Sequence, residues 1–148
     1  MGQFALDLKR FGQEAQANWQ TVSKKVALDL FRRFVMGTPV DTGRARGNWQ
    51  CTIGSPATGT IDREDPSGQE VMAEVTDTVS RWNVDQVAIY LTNNVAYIEA
   101  LEKGHSGQAP RGWVRVALRN YPGIVESASR EIFSTSSSCV PLIVRLIS

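Results

Sequence analysis

Asp41-Thr42-Gly43 is the stretch of this sequence most suggestive of catalysis, because aspartic proteases carry their catalytic carboxylate in the same tripeptide. That chemistry needs two such aspartates that meet across a dimer and share one proton. Here an amphipathic segment precedes the tripeptide, and the arginines at positions 44 and 46 would disturb a carboxylate pair in a low-dielectric site. The sequence favours a turn in which the Asp41 carboxylate accepts backbone N–H bonds, and a small protease is the remote alternative.

His105, the single histidine, is a candidate general base, which would need a nucleophile and an orienting acid within reach. Glu99 and Ser106 are near it in sequence, but they fall on a predicted helix end and a loop. His105 is therefore interpreted as a loop residue at a helix C-terminus. Cys51 and Cys139 lack a neighbouring histidine motif and are interpreted as reduced core thiols. One histidine and two cysteines are too few for a zinc site, and neither a metal nor a cofactor is predicted.

Six arginines are candidates for contacts with phosphate groups: Arg44, Arg46, Arg111, Arg115, Arg119 and Arg130. They are scattered and balanced by acids, and the net charge of the chain is only +1. The sequence has no phosphate-binding glycine loop, basic helix-turn-helix or zinc knuckle. An intracellular nucleic-acid-associated protein is therefore the alternative function, and a protein-contact surface is favoured.

The bulk composition predicts one compact domain. The chain has 148 residues, of which 42% are hydrophobic. This is enough to form a hydrophobic core without disulfides or a structural metal ion. Its first residues lack the layout of a secretory signal, and no apolar run reaches the length of a membrane span. We expect a cytoplasmically made protein with no membrane partner, divided into a domain over residues 1–133 and a hinge and tail over residues 134–148.

A long first helix is the clearest element. Apolar residues recur at steps of three and four, which is typical of one helical face, at Phe4, Leu8, Phe11, Ala15, Trp19, Val22, Val26, Leu30 and Phe34. Gly37 and Pro39 are predicted to end the helix. At 1.5 Å per residue it would be roughly 45 Å long, so its end should project beyond a domain of about 30–35 Å.

Shorter elements follow. Alternation predicts a strand over 44–53 and a second over 87–92, and helical spacing predicts helices over 71–82 and 95–103, the latter stopped by Gly104. Ser67 and Glu70 have capping-box spacing before the first of these helices. Residues 114–118 are ambiguous between strand and helix, and Pro122 fits the first turn of a last helix. The predicted fold class is α+β: a long N-terminal helix and shorter helices packed on a small, mainly antiparallel sheet.

The segment over 54–68 is predicted to be a mobile loop. It is rich in Gly, Pro, Ser and Thr, and nothing in it suggests packing against a core. Its three acids, Asp62, Glu64 and Asp65, would suit the inner surface of a protein ring through which DNA passes without binding.

The last residues form an apolar, β-prone tail. Ser134–Ser138 is short and polar, typical of a hinge. The tail's aliphatic residues, which would be an aggregation hazard in water, are Val140, Leu142, Ile143, Val144, Leu146 and Ile147. They are predicted either to form an edge strand on the chain's own sheet or to cross to a neighbour's sheet, and the second arrangement, a subunit-contact arm, is favoured.

Two stretches taken in order resemble the tail-completion, or neck, family of long-tailed bacteriophages. They are Thr38-Pro-Val-Asp-Thr-Gly-Arg-Ala-Arg-Gly-Asn-Trp49 and Asn93-Asn-Val-Ala-Tyr-Ile-Glu-Ala-Leu-Glu-Lys-Gly-His-Ser-Gly-Gln-Ala-Pro110. The likeness covers residues 37 to about 131, and the tail is not part of the pattern. The residues at the family's motif positions, for which the resemblance implies structural and assembly roles and no catalysis, are Asp41, Gly43, Arg44, Trp49, Tyr97, Glu99, Gly104 and Pro110.

The resemblance implies a structural virion protein that is not an enzyme. It would be assembled in the host cytoplasm and located in the neck or tail, where it completes the tail and joins it to the head. Its expected partners are copies of itself in a ring, expected to be a hexamer, and neighbouring neck and tail proteins. Phage DNA would pass at most through the lumen, without being read for sequence.

Overall fold

The computed structural model describes residues 2–85, 87–107 and 112–135. The elements, in chain order, are α1 (Gly2–Gly37), α2 (Arg44–Gly47), β1 (Trp49–Ile53), α3 (Gln69–Arg81), β2 (Ile89–Asn93), α4 (Ile98–Glu102), α5 (Trp113–Arg119) and α6 (Tyr121–Thr135). Strands β1 and β2 pair antiparallel, from Trp49 opposite Asn93 to Ile53 opposite Ile89. The predicted α+β class, with a long first helix and a small antiparallel sheet, is confirmed.

Helix α1 has 36 residues, which corresponds to about 54 Å at the usual rise, and it ends at Gly37 as predicted. Its second half is the part that packs: Val26, Phe31 and Val35 are buried. In the first half, Leu8 and Phe11 are exposed. The helix therefore enters the core over its C-terminal half only.

Two groups of buried residues hold the helices together. The larger one joins α1 to β1, α3 and α5, and the three valines of α3, Val71, Val75 and Val79, are essentially inaccessible to solvent. Burying each of these side chains contributes about 1.5–3 kcal/mol. The smaller group joins α1 to α6 through Val22, Val26, Ile124 and Ala128. In α3 and in α6 the apolar face of the helix is thus the face that packs.

The predicted strand over 44–53 is only half correct. Residues Arg44–Gly47 form the short helix α2, and the strand begins at Trp49. Gly43 has a left-handed backbone (φ 92°), and its carbonyl accepts N–H bonds from Gly47 (2.7 Å) and Asp65 (3.2 Å). This turn closes a helical loop before the strand can start, although the residue types alternate.

The segment over 54–68 is held against the rest of the protein, so the expectation that nothing in it packs is wrong. Arg63 donates to the carbonyls of Gly47 (2.7 Å) and Trp49 (3.1 Å) and pairs with Glu74 (2.8 Å). Asp65 is buried beneath the start of α3. That acid is therefore committed to the fold and does not face a lumen.

The predicted capping box of α3 is also wrong. Gly68, and not Ser67, is the residue before the helix, and the Asp65 carboxylate accepts N–H bonds from Gly68 (2.8 Å) and Val71 (3.1 Å). The Ser67 hydroxyl donates to Asp65 and accepts the Gln69 N–H. The buried Asp65 carboxylate, three residues before Gly68, thus accepts the N–H bonds at the start of α3 that were expected to involve Ser67 and Glu70.

The remaining elements follow the predicted order, with bounds that differ by a few residues. Helix α4 covers Ile98–Glu102, and Gly104 has the left-handed φ of 92° expected after its end. The ambiguous segment at 114–118 lies in helix α5, and Pro122 lies in the first turn of α6. Helix α6 continues through Thr135, so Ser134 and Thr135 are helical although they belong to the predicted hinge. The rest of the hinge and the tail lie outside the described residues.

Gly43 and Gly54 offer a matched pair of substitutions. Both have a φ near +90° (92° and 89°), but only at Gly43 would a Cβ meet other atoms, lying 2.4 Å from the backbone nitrogen of Pro66. Gly54→Ala should cost about 1–2 kcal/mol, the usual penalty of a left-handed L-residue, and Gly43→Ala should cost clearly more. Urea denaturation measures both changes, and equal losses would contradict a close approach at Gly43.

Candidate assembly surface

Side chains from several elements bond to the backbone around the C-terminal end of α1. The Phe34 carbonyl accepts bonds from the Thr38 hydroxyl (2.8 Å) and the Trp113 indole N–H (3.1 Å). The same Thr38 hydroxyl accepts the indole N–H of Trp49 (2.8 Å). Gly37 allows this arrangement, because a Cβ there would lie 2.7 Å from the Trp113 ring. The start of the turn at residues 38–43 is therefore fixed to both β1 and α5.

Arg46 fixes the other side of the turn. Its guanidinium donates to the carbonyls of Met36 (3.0 Å), Thr38 (2.9 Å) and Pro66 (2.7 Å). Carbonyls at a helix C-terminus have no partner within the helix and need a donor when they are covered. Burial lowers the pKa of Arg46 and the Asp65 carboxylate opposes that shift, so the side chain keeps its positive charge.

Two side-chain amides, of the buried Asn48 and the half-buried Asn93, position the chain that follows the turn. Asn48 donates to the Arg44 carbonyl (2.8 Å) and accepts the N–H of Ile61 (2.8 Å). Asn93, at the start of the second motif stretch, donates to the Ala45 carbonyl (2.7 Å). The Asn93 bond, together with the pairing of β1 and β2, joins the two motif stretches, although they are separated by more than 40 positions along the chain.

The two stretches meet in one groove, with a volume of about 220 Å³. Its walls come from the turn after α1 and from the region of α4, and its lining residues are Pro39, Val40, Asp41, Thr42, Gly43, Arg44, Ala45, Tyr97, Leu101 and Ser106. Asp41, Arg44 and Tyr97 are exposed. The groove therefore offers a carboxylate, a guanidinium and an aromatic ring to solvent beside the apolar Val40 and Leu101.

Asp41 does not stabilise the turn in the way the sequence suggested. In the part of the chain that the structure describes, no N–H donates to its carboxylate, and the turn uses the Thr42 hydroxyl instead, which accepts the Arg44 N–H (3.3 Å). The predicted role of Asp41 as a backbone acceptor is therefore wrong. Its charge is directed to solvent at the groove.

The other motif positions have different places. Trp49 is buried in the core, and Gly104 ends α4. Glu99 is exposed and pairs loosely with Lys103 (3.6 Å) on the same helix. Pro110 and the proposed arm residues lie outside the described residues. Of the predicted positions, the structure brings Asp41, Gly43, Arg44 and Tyr97 together.

Residues to which the sequence assigns no supporting role build this site. Arg46 and Asp65 are predicted as a possible phosphate contact and a loop acid, and the sequence predicts no individual role for Thr38, Asn48 or Arg63. Local spacing gave no signal for Arg46, because alternation places Arg44 and Arg46 on the same face of the predicted strand, whereas in helix α2 two successive steps turn the side chain by about 200°. No local pattern indicates the bonds of Arg63 and Asp65, whose partners are distant.

Cys51 and His105 show no chemistry of their own. Burial raises the pKa of the Cys51 thiol to about 11, with a further contribution from Glu74, so the thiol is protonated at neutral pH. The exposed His105 has its Nδ1 atom 2.9 Å from the Ala100 carbonyl, beyond the end of α4. Among the described residues, no group of His, Cys, Asp and Glu side chains could hold a metal ion. None of the described helices is long and apolar enough to cross a membrane.

Comparison with known proteins adds no relative: no family model, curated protein or solved structure matches the chain.

Separate substitutions of Arg44 and Arg46 by methionine distinguish their roles. Arg46→Met should lower the free energy of unfolding by about 2–4 kcal/mol, because three carbonyls lose their donor. Arg44→Met should change it by less than about 0.5 kcal/mol, since Arg44 is exposed. Chemical denaturation of both variants tests this, and an unaffected Arg46→Met variant would show that the carbonyls are satisfied in another way.

Asp65 should make stability depend on pH. Burial raises the pKa of its carboxyl, but bonds from the Val71 N–H, the Ser67 hydroxyl and the Gly68 N–H outweigh this, so the folded pKa lies below the ordinary 3.8. The unfolded chain then takes up a proton first, and stability present above about pH 4 is lost as the pH falls through the folded pKa.

Measuring unfolding from about pH 6 down to about pH 2 should therefore show a smaller acid loss in Asp65→Asn than in the wild type, and an intermediate one in Ser67→Ala. If both variants lost the same amount as the wild type, Asp65 would not be a source of the acid sensitivity.

Proposed function

We propose that this protein is a structural subunit of a bacteriophage neck, a tail-completion protein that joins head and tail and assembles as a ring. The observation that carries the proposal is the single groove formed by the two motif stretches, with Asp41, Arg44 and Tyr97 exposed in it. Motifs that served the fold alone would give buried residues, as Trp49 does.

The chemistry of the groove suits a protein partner. Tyrosine and arginine are enriched among the residues that dominate binding at protein interfaces. The volume of about 220 Å³ is below the roughly 300 Å³ at which typical small-molecule pockets begin. Asp41 and Arg44 carry opposite charges, so a partner must match both, which favours a specific contact over general attraction.

A ring also needs a second surface. Rotational assembly with more than two copies repeats a contact between two different patches of each subunit. Exposed apolar residues at the junction of α5 and α6, namely Val116, Leu118 and Tyr121, provide a candidate for the second patch. Neck and tail proteins above and below the ring, expected from the family resemblance, would use further surfaces. The ring would enclose DNA without reading its sequence.

The groove predicts which substitutions separate assembly from folding. Tyr97→Ala and Asp41→Ala should shift the purified protein from ring to monomer in mass photometry, while the melting temperature stays within a few degrees of the wild type, because both side chains are exposed. Asp62→Ala, which removes an exposed acid outside the groove, is the matched control and should leave the rings intact.

Other outcomes would point to other functions. A wild-type chain that stays monomeric alone and with phage neck proteins would contradict the proposal. A salt-sensitive gel shift with DNA or RNA would favour the nucleic-acid alternative. Casein cleavage that disappears in Asp41→Asn would indicate a protease.

A further inference from the structure

One side of α1 carries an apolar stripe that is covered over only part of its length. The stripe consists of Leu8, Phe11, Ala15, Trp19, Val22 and Val26, which follow one another at steps of three and four and so lie on one face of the helix. Val22 and Val26 are buried. Leu8, Phe11 and Trp19 are 56%, 49% and 59% exposed, so cover stops between positions 19 and 22.

Helix α6 covers the buried end of the stripe and runs antiparallel to α1. The start of α6 lies beside Asp29 and Arg33, which line one pocket with Asn120 and Gly123, whereas Glu131 near its end pairs with Lys25. Ile124 and Ala128 belong to one buried group with Val22 and Val26. Ile132, one turn further along α6, packs against the same group. The last turn of α6, which ends at Thr135, therefore points along α1 toward Trp19 and the exposed part of the stripe.

The chain that follows has the length and the composition to continue this cover. Thirteen residues, 136–148, come after Thr135. From Trp19 to Leu8 the helix rises about 17 Å, whereas thirteen residues span about 20 Å as a helix and about 43 Å when extended. The segment over 139–148 is mostly aliphatic, with Arg145 as its one charged side chain. Exposing the apolar side chains of the α1 stripe and of the segment over 139–148 to water would be unfavourable in free energy.

We propose that the C-terminal segment over 139–148 docks on the exposed stripe of α1 in its own chain. The attachment point favours the chain's own segment over that of a second copy, because a short tether gives an effective concentration in the millimolar range. The inference does not depend on the proposed ring. It places the segment on α1, and not on a sheet edge or a neighbour's sheet as the sequence analysis expected.

Photocrosslinking in the full-length protein tests the contact. With p-benzoyl-phenylalanine in place of Phe11, irradiation should give a product that runs as a single chain on a denaturing gel, and mass spectrometry should locate the crosslink within 139–148. The same photoreactive residue in place of Gln13, an exposed residue on the other side of the helix, is the matched control, and that crosslink should be lost.

A crosslink from position 11 to 139–148 that runs as two chains would assign the segment to a second copy and overturn the proposal. A crosslink from position 11 to α1 of another chain, or none to the segment, would also overturn it. As a second measurement, deleting 139–148 should increase binding of a dye specific for apolar surface. Adding Phe11→Glu to the deletion should remove that increase, and an unchanged dye signal after the deletion would count against the contact.

Discussion

The structure depends on one constraint: the C-terminal end of α1 is buried, and its last carbonyl groups must still find donors. The donors are the local Thr38 hydroxyl, the Arg46 guanidinium ten positions from Met36, and the Trp113 indole 79 positions from Phe34. An unpaired buried carbonyl costs about 1–3 kcal/mol, so the bonds from Arg46 and Trp113 favour one arrangement of α2 and of α5 against α1. The helix end thereby organises the elements packed around it.

Because other residues satisfy the end of α1, the charged side chains of Asp41 and Arg44 stay exposed in the groove. The backbone of the turn is held by Arg46 beneath it and by the close contact of Gly43 with Pro66, and neither Asp41 nor Arg44 is needed for that purpose. The two arginines, two positions apart, therefore differ: the Arg46 side chain binds backbone carbonyls, and the Arg44 side chain faces solvent. A rigid turn with unused charges is suited to recognition, because little conformational freedom is lost when a partner binds.

Sequence alone could predict what periodicity and turn chemistry encode. The C-terminal half of the α1 face, the helix α3 and the stop at Gly104 follow from local spacing and were correct, whereas Leu8, Phe11 and Trp19 of the same α1 face are exposed. The strand predicted from Arg44 failed because Gly43 closes a turn onto Gly47, a bond that outweighs the alternation of residue types. The anchoring of Arg63 could not be predicted, because its partners lie 11 to 16 positions away and belong to other elements. The groove could not be predicted either. The sequence indicated two motif stretches, but their contact is seen only in the folded chain.

The groove and the exposed stripe lie toward opposite ends of helix α1. The groove lies beside its C-terminal end, and the exposed stripe begins at Trp19 and runs toward its N-terminus, so the groove and Leu8 are far apart on a helix of about 54 Å. Effects of substitutions at sites more than about 7–10 Å apart usually add. Loss of the groove contacts and loss of the cover on α1 should therefore be independent, unless a neighbouring subunit touches both. A non-additive effect of the two changes on assembly would thus itself locate a subunit contact along α1.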